Sequence, residues 1–574
     1  MQAISRSFRA IVLLAATLAA ALMMQGCGGG GGGAAPASIA PAAPGATSPV
    51  VVPPPATPNQ VSVTGQATYE LVPINRFTGG LDYAAIVDRP ARGVTVQAIS
   101  GSTVLASAIA NEQGNFTITL PINTAYFLRM RAEVVSSSGP AGAVLAAVSV
   151  KDNTAQDALW VVDGALSQSG TANTSNSIAA GSGWNGTRYT AGARAAGPFA
   201  ALDTVYAAFK YLVQTDPAIR FPPLTLFWSP NNTTARSSTD DFSTGEIGGT
   251  FFLESVRNGE TSRAIYLLGR QDDDTDEYDS ALIAHEVGHY LQSVFSKDHS
   301  LGGSHSGGDK LDMTVAFSEG WATAWSSMAR GSPEYFDSFG ARQARGFSFS
   351  VLSTPTDSQR GWYREDSVYS SIYALFQGHG FAPIWQALTG PMAKTQQALA
   401  TIFSFADAIR GVGSAGSAAV SASLNQILAG QNIFAGSAAD AFGQGETNNG
   451  ARASNLPVYE SLAFNAAAPA CFAVDNKTDK SINKLGMVKY YRITLSAAQA
   501  GLRTVTANFS TGRDLDFEVF QNGNLVATAT ADSQGLNSES ASVNLSAGEV
   551  IIRVSDFVTT NPPVSPLCAT MTLR

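Results

Sequence analysis

Residues 281–295 read ALIAHEVGHYLQSVF, and within them His285, Glu286 and His289 stand in the order H-E-x-x-H. The whole chain has five histidines, so two of them four apart around a glutamate call for an account. Ala281, Leu282, Ile283, Ala284, Val287, Leu291, Val294 and Phe295 give the stretch the pattern of a mostly buried helix. On a helix, residues i and i+4 share a face, so both imidazoles can reach one metal ion. The carboxylate of Glu286, next to them, is placed to take a proton from a metal-bound water.

A catalytic zinc keeps three protein ligands and one open position, so a third ligand has to be found. A metzincin pattern would need Gly at 292 and His at 295; the chain has Gln292 and Phe295. Further on, AFSEGWATAW (316–325) carries Glu319 on a second helical pattern. With Glu319, Gly320, Trp321 and Ala322 matching residue by residue, the two segments together resemble the gluzincin-type zinc metallopeptidases. The resemblance implies His285, His289 and Glu319 as zinc ligands and Glu286 as general base. It also implies a tyrosine or histidine that stabilises the negative intermediate. Tyr369, Tyr373 and His379 in EDSVYSSIYALFQGHG (365–380) are the candidates, the two tyrosines being one helical turn apart. The chain departs from the family in one respect. Glu319 follows His289 by thirty residues, about ten more than is usual, and the Gly/Ser-rich SKDHSLGGSHSGGDK (296–310) would have to loop out at low entropic cost. That loop holds three rival ligands, His299, His305 and Asp309, none of them in a helical pattern.

Just before the first helix comes RQDDDTDEYDS (270–280). The reading favoured here is a solvated loop that starts the helix, with Asp276, Glu277 and Asp279 near its positive end. A second reading is a calcium (Ca2+) site of oxygen ligands. A third lets one carboxylate orient a zinc-bound histidine.

Around this centre the chain changes character. MQAISRSFRAIVLLAATLAAALMMQGC has a basic start and a short apolar run, the pattern of an export signal. Its end, Met24-Gln25-Gly26-Cys27, resembles the lipobox of bacterial lipoproteins, which implies lipidation of Cys27 and removal of residues before it. Residues 28–60 are Gly-, Ala- and Pro-rich and read as a tether. Residues 61–165 alternate apolar and polar in GVTVQAIS, NFTITLP and YFLRMRAEVV, a small β-sandwich pattern; NEQGNFTITLP resembles carboxypeptidase-regulatory-like modules. Residues 166–467 hold a helix at 197–215, strands at 224–228, 250–255 and 264–269, the two metal-ligand helices, and further helices at 366–377, 382–388 and 395–410. Residues 468–574 return to strands, and DLDFEVF with GEVIIRV resembles bacterial pre-peptidase C-terminal domains. With Cys27 lipidated, Cys471 and Cys568 remain as a disulfide pair.

The expectation is therefore a multidomain chain: an α+β zincin-like catalytic domain flanked by N-terminal and C-terminal β-sandwiches. Its function would be zinc-dependent hydrolysis of peptide bonds, as an endopeptidase, in a protein or peptide substrate. It would be held to the bacterial cell envelope by a lipid anchor, or secreted. A catalytically inactive surface-binding lipoprotein, a zinc amidase acting on cell-wall material, and a purely structural zinc recruiting His299 or His305 are the alternatives. A net charge of −9 without a basic run argues against a nucleic acid partner.

Overall fold

The computed structural model describes residues 59–574 apart from 137–143, 145, 191–193, 240, 413–416, 434–439, 473–481, 511–514, 531–536 and 557–566. The signal-like segment, Cys27 and nearly all of the tether lie outside the described residues. Among the described residues, no helix is long and apolar enough to cross a membrane.

The middle of the chain is built on a mixed sheet. Its strands run in the order Phe251–Arg257, Glu260–Leu267, Leu224–Trp228, Ala147–Asp152 and Glu133–Val135. Leu224–Trp228 is parallel to both neighbours, and Phe251–Arg257 closes one edge antiparallel. Of four long helices, α1 (Ala196–Thr215) and α2 (Ser280–Phe295) pack on this sheet, α3 (Met313–Arg330) packs on α2, and α4 (Glu365–His379) packs on α3. On α1, Phe199, Leu202, Val205, Phe209 and Leu212 are buried. Tyr206 is half-buried and donates its hydroxyl to Glu112. The short helix Ala382–Ala387 and the helix Ile402–Gly411 follow. The second begins seven residues later than its pattern reads, because Thr401 and Ser404 cap each other reciprocally there.

The expected boundary at 165 does not coincide with the sheets. Ala147–Asp152 belongs to the central sheet, beside Leu224–Trp228. Ile178–Ala180, from beyond the boundary, pairs with Gln60–Leu71 in the N-terminal strands. One continuous hydrophobic core runs from Val63 through the central sheet and helices. The alternation in AVSVKD is the same whichever sheet it joins, so local pattern could not place it.

The C-terminal region has its own apolar core between two sheets. One sheet orders Glu460–Ser461, Val488–Leu495, Gly548–Asp556, Leu515–Gln521 and Asn524–Ala529; the other orders Ala467–Phe472, Leu567–Leu573, Gly501–Asn508 and Ser538–Leu545. The Cys471–Cys568 disulfide joins directly opposed residues of the neighbouring strands Ala467–Phe472 and Leu567–Leu573 of the second sheet. This unit is fastened to the helical region. The Tyr490 hydroxyl lies 2.8 and 2.9 Å from the two carboxylate oxygens of Asp312, the residue that caps α3 by accepting the Thr314 N–H at 2.9 Å.

Candidate metal centre

The site is where α2 crosses α3. Gly288 makes the crossing close: a Cβ there would lie 2.7 Å from Ala322 Cα. Trp321 Nε1 donates to the Gly288 carbonyl at 2.9 Å and fixes the approach. Gly320 does the same on the other side of α3, where a Cβ would lie 2.5 Å from a Val368 methyl on α4. At the crossing, His285, His289 and Glu319 converge. His285 Nε2 is 3.2 Å from Glu319 Oε2, His289 Nε2 is 3.3 Å from the same oxygen, and the two Nε2 atoms are 3.1 Å apart. Ligand atoms about 2.0–2.1 Å from one tetrahedral zinc stand about 3.3 Å apart, so the donor set fits that ion.

The outward ring nitrogens fit it as well. Thr323 Oγ1 donates to Glu365 Oε1 at 3.1 Å, so it accepts from His285 Nδ1 at 3.0 Å. Ser318 Oγ donates to Gln292 Oε1 at 3.2 Å and accepts from His289 Nδ1 at 3.2 Å. Both rings are thereby held with the Nε2 lone pair facing inward, the tautomer a metal ligand needs. Two hydroxyls do this work, not a carboxylate of the 270–280 run.

Glu319 and Glu286 are both buried. Burial alone would raise the Glu319 carboxyl, but the facing imidazoles of His305, His289 and His285 hold it well below the usual range. Burial lowers His285, whereas Glu319 outweighs burial at His289 and raises it to about 9. The buried carboxylate thus calls for a cation, a need a metal ion meets when both imidazoles are neutral. Burial pushes Glu286 up to about 7. Its Oε2 accepts the Phe252 N–H at 2.7 Å, from the edge strand of the central sheet, leaving Oε1 for a second proton.

The rival ligands go elsewhere. The 296–310 loop is not free but is laid against the C-terminal unit. His299 Nε2 donates to the Gly523 carbonyl at 2.9 Å and its Nδ1 accepts the Ala400 N–H at 2.8 Å. Asp309 pairs with Lys484 at 2.9 Å. His305 alone comes near: its Nε2 is 3.7 Å from Glu319 Oε2 and 3.5 Å from Glu365 Oε2, outside the ligand triangle.

The oxyanion candidates are redistributed. Tyr335, on the strand Glu334–Phe339, places its ring edge-on to His285 with centroids 6.3 Å apart. It stacks on Phe349, which stacks on Tyr369, so Tyr369 is two rings further out. Tyr373 packs against Phe376. His379 ends α4, fourteen residues from Glu365 and hence about 21 Å along the axis. Glu365, Tyr335 and the outer role of His305 were not found from the sequence. Glu365 carries no motif, and Tyr335 follows Glu319 by sixteen residues on a strand whose placement is set by tertiary pairing.

The end of the acidic run beside α2 is not solvated. Asp276, Glu277 and Asp279 are each 1% exposed. Asp279 does begin α2, but its side chain does not cap the helix; Oδ2 accepts from the Ser338 N–H and hydroxyl instead.

No known family model and no curated protein matches the chain. Several solved structures show a likeness to about a fifth of the chain. The pre-peptidase C-terminal domain of a collagenase from Bacillus anthracis is 10% identical, over 20% of this chain and 94% of that one, with a TM-score of 0.16. PliG, a periplasmic inhibitor of g-type lysozyme from Aeromonas hydrophila, is 13% identical over 20% and 96%, with a TM-score of 0.14. A β-glucosidase from Paenibacillus barengoltzii is 14% identical over 20% and 11%, with a TM-score of 0.12.

Proposed function

We propose that the chain is a zinc-dependent peptidase in which His285, His289 and Glu319 hold the metal. The observation that carries this reading is the 3.1–3.3 Å triangle of two Nε2 atoms and one carboxylate oxygen, with each Nδ1 held by a hydroxyl. When bound, zinc supplies a polarised water and an electrophile for the scissile carbonyl. Glu286 Oε1 accepts the water's proton and returns it to the leaving amine nitrogen. Tyr335, whose ring stands edge-on to His285, and His305, 3.7 Å from Glu319 Oε2, are the candidate donors to the developing oxyanion. The edge strand Phe251–Arg257 supports an extended peptide as substrate, because its outer side has no strand partner among the described residues and Phe252 already meets Glu286. This favours peptide bonds over a small cell-wall amide. A closed structural zinc is disfavoured because His299 is engaged with Ala400 and Gly523 and His305 stands outside the ligand triangle.

The lipobox-like end at Cys27 supports anchorage at the cell envelope; Cys27→Ser should then release the protein from the membrane fraction, and retention would refute it.

The test of the activity is metal content and casein hydrolysis of the purified protein beside Glu286→Gln and Glu319→Ala. About one zinc per chain and cleavage are expected of the wild type. Glu286→Gln should keep zinc and lose at least about 100-fold in rate, and Glu319→Ala should lose zinc. Zinc without cleavage would leave a binding or structural role, and absence of zinc would sink the reading.

A further inference from the structure

The 270–280 run holds six acidic residues, and three of them have their charge accounted for. Asp272 accepts the Arg342 N–H at 2.7 Å. Asp273 accepts from the hydroxyls of Thr233 and Thr234 and from the Thr234 N–H. Glu277 is paired with the buried Arg194 and takes the Trp228 indole N–H at 3.1 Å. The other three, Asp274, Asp276 and Asp279, are met by a fourth acid, Asp337, from the strand Glu334–Phe339. None of these four forms an ion pair among the described residues. Asp274, Asp276 and Asp337 each bring one carboxylate oxygen within 4.8 Å of the others.

The hydrogen bonds leave oxygens over. Thr250 donates to Asp276 Oδ2, and Ser338 donates twice to Asp279 Oδ2. Oδ1 of Asp274, Asp276, Asp279 and Asp337 is buried with no hydrogen-bond partner in each case. Asp276 is 1% exposed, so bulk solvent does not reach its orphaned oxygen. A buried, unpaired carboxylate costs several kcal/mol, and adjacent ones repel one another as well. The fold supplied an arginine to Glu277 but no cationic partner to Asp274, Asp276 or Asp279 among the described residues.

We propose that Asp274, Asp276 and Asp337 form a calcium site, separate from the zinc centre, that clamps the start of α2 to the strand bearing Tyr335. The donors are all hard oxygens, with no imidazole or thiolate to favour zinc. Calcium takes six to eight such oxygens in irregular geometry, whereas magnesium demands a near-ideal octahedron and dehydrates reluctantly. Asp279 is one residue before α2, and Asp337 is two residues from Tyr335, so one ion would tie together two elements that build the zinc centre.

The test uses the whole protein, dialysed into calcium-free buffer with its zinc content checked before and after. Calcium chloride is titrated calorimetrically, and Tm is read with and without calcium. Expected is about one calcium per chain with a Kd at or below about 1 mM, a rise in Tm of a few degrees at saturation, and a much smaller response to magnesium. Asp276→Asn and Asp337→Asn remove the repulsion, so each should fold at least as stably as the calcium-free wild type while losing the calcium-dependent rise. A wild type that binds no calcium up to about 10 mM, or Asn variants with the same calcium response, would overturn the site and leave a proton-sharing carboxyl cluster. Zinc retained throughout keeps either outcome distinct from a failure of the peptidase reading.

Discussion

Replacing His299 separates a histidine that holds the fold from one that holds a metal. The ring is buried, with Nδ1 occupied as an acceptor of the Ala400 N–H and Nε2–H given to the Gly523 carbonyl. A second proton would have to enter at Nδ1, against an N–H already pointing at it. Burial, and then the nearby charges of Arg553 and Lys297, pushes the imidazole down from 6.5 to about 3. The unfolded chain takes up that proton near the ordinary value, so the native state is favoured above about 6.5 and loses this contribution as pH falls toward about 3. At 1.36 kcal/mol per pH unit, moving from pH 6.5 to pH 5 removes about 2 kcal/mol through this one group. His299→Gln can still donate or accept but does not titrate. The assay is urea unfolding followed by tryptophan fluorescence at pH 7 and pH 5. All seven tryptophans lie between 160 and 385, so the signal reports the region that carries the 296–310 loop. The stability difference between wild type and variant should change by about 2 kcal/mol in the variant's favour between the two pH values, with zinc content equal. An unchanged difference would refute the buried neutral ring. Loss of zinc in the variant would make His299 a ligand after all.

Three further outcomes follow from the same geometry. Tyr335→Phe should lower kcat by about 100-fold with zinc retained and KM little altered, whereas Tyr373→Phe should leave kcat unchanged; peptide hydrolysis kinetics decide, and the reverse ranking would move the oxyanion role back to α4. Thr323→Val removes the acceptor from His285 Nδ1 and should weaken zinc binding by about 10- to 100-fold, measured by chelator competition. Gly288→Ala puts a methyl 2.7 Å from Ala322 Cα and must push α2 from α3. It should cost about 1–3 kcal/mol in urea unfolding and lower zinc affinity, and a variant with wild-type Tm and zinc binding would show the crossing to be looser than drawn.

The helix bearing H-E-x-x-H was legible because helical periodicity is local: four residues of spacing place His285 and His289 on one face whatever the rest of the chain does. Glu319 was legible for the same reason, on a second helix with its own pattern and with the cap-forming Asp312 at its start. With Cys27 set aside by its lipobox-like setting, the two C-terminal cysteines were left as a pair, and they face each other across two strands. The long interval between His289 and Glu319 could be noticed but not explained. Its explanation is that His299 and Asp309 are committed to Gly523 and Lys484, more than 170 residues away in the chain.

What only the tertiary structure decided concerns partners that no local signal encodes. Ala147–Asp152 alternates identically in either sheet, so its place beside Leu224–Trp228 is settled by long-range pairing. Tyr335 and Glu365 reach the centre because a strand and a helix end are carried there by packing, while the Tyr369 and Tyr373 suggested by spacing face other aromatics. The aspartates before α2 read as solvated because acids at helix starts usually are. Burial is a property of everything packed around a residue, and here Asp337 and Thr250 arrive from distant strands to enclose them. Side-chain chemistry and helical spacing thus lay in the sequence, and the dielectric surroundings and cross-chain partners that set each group's role lay in the fold.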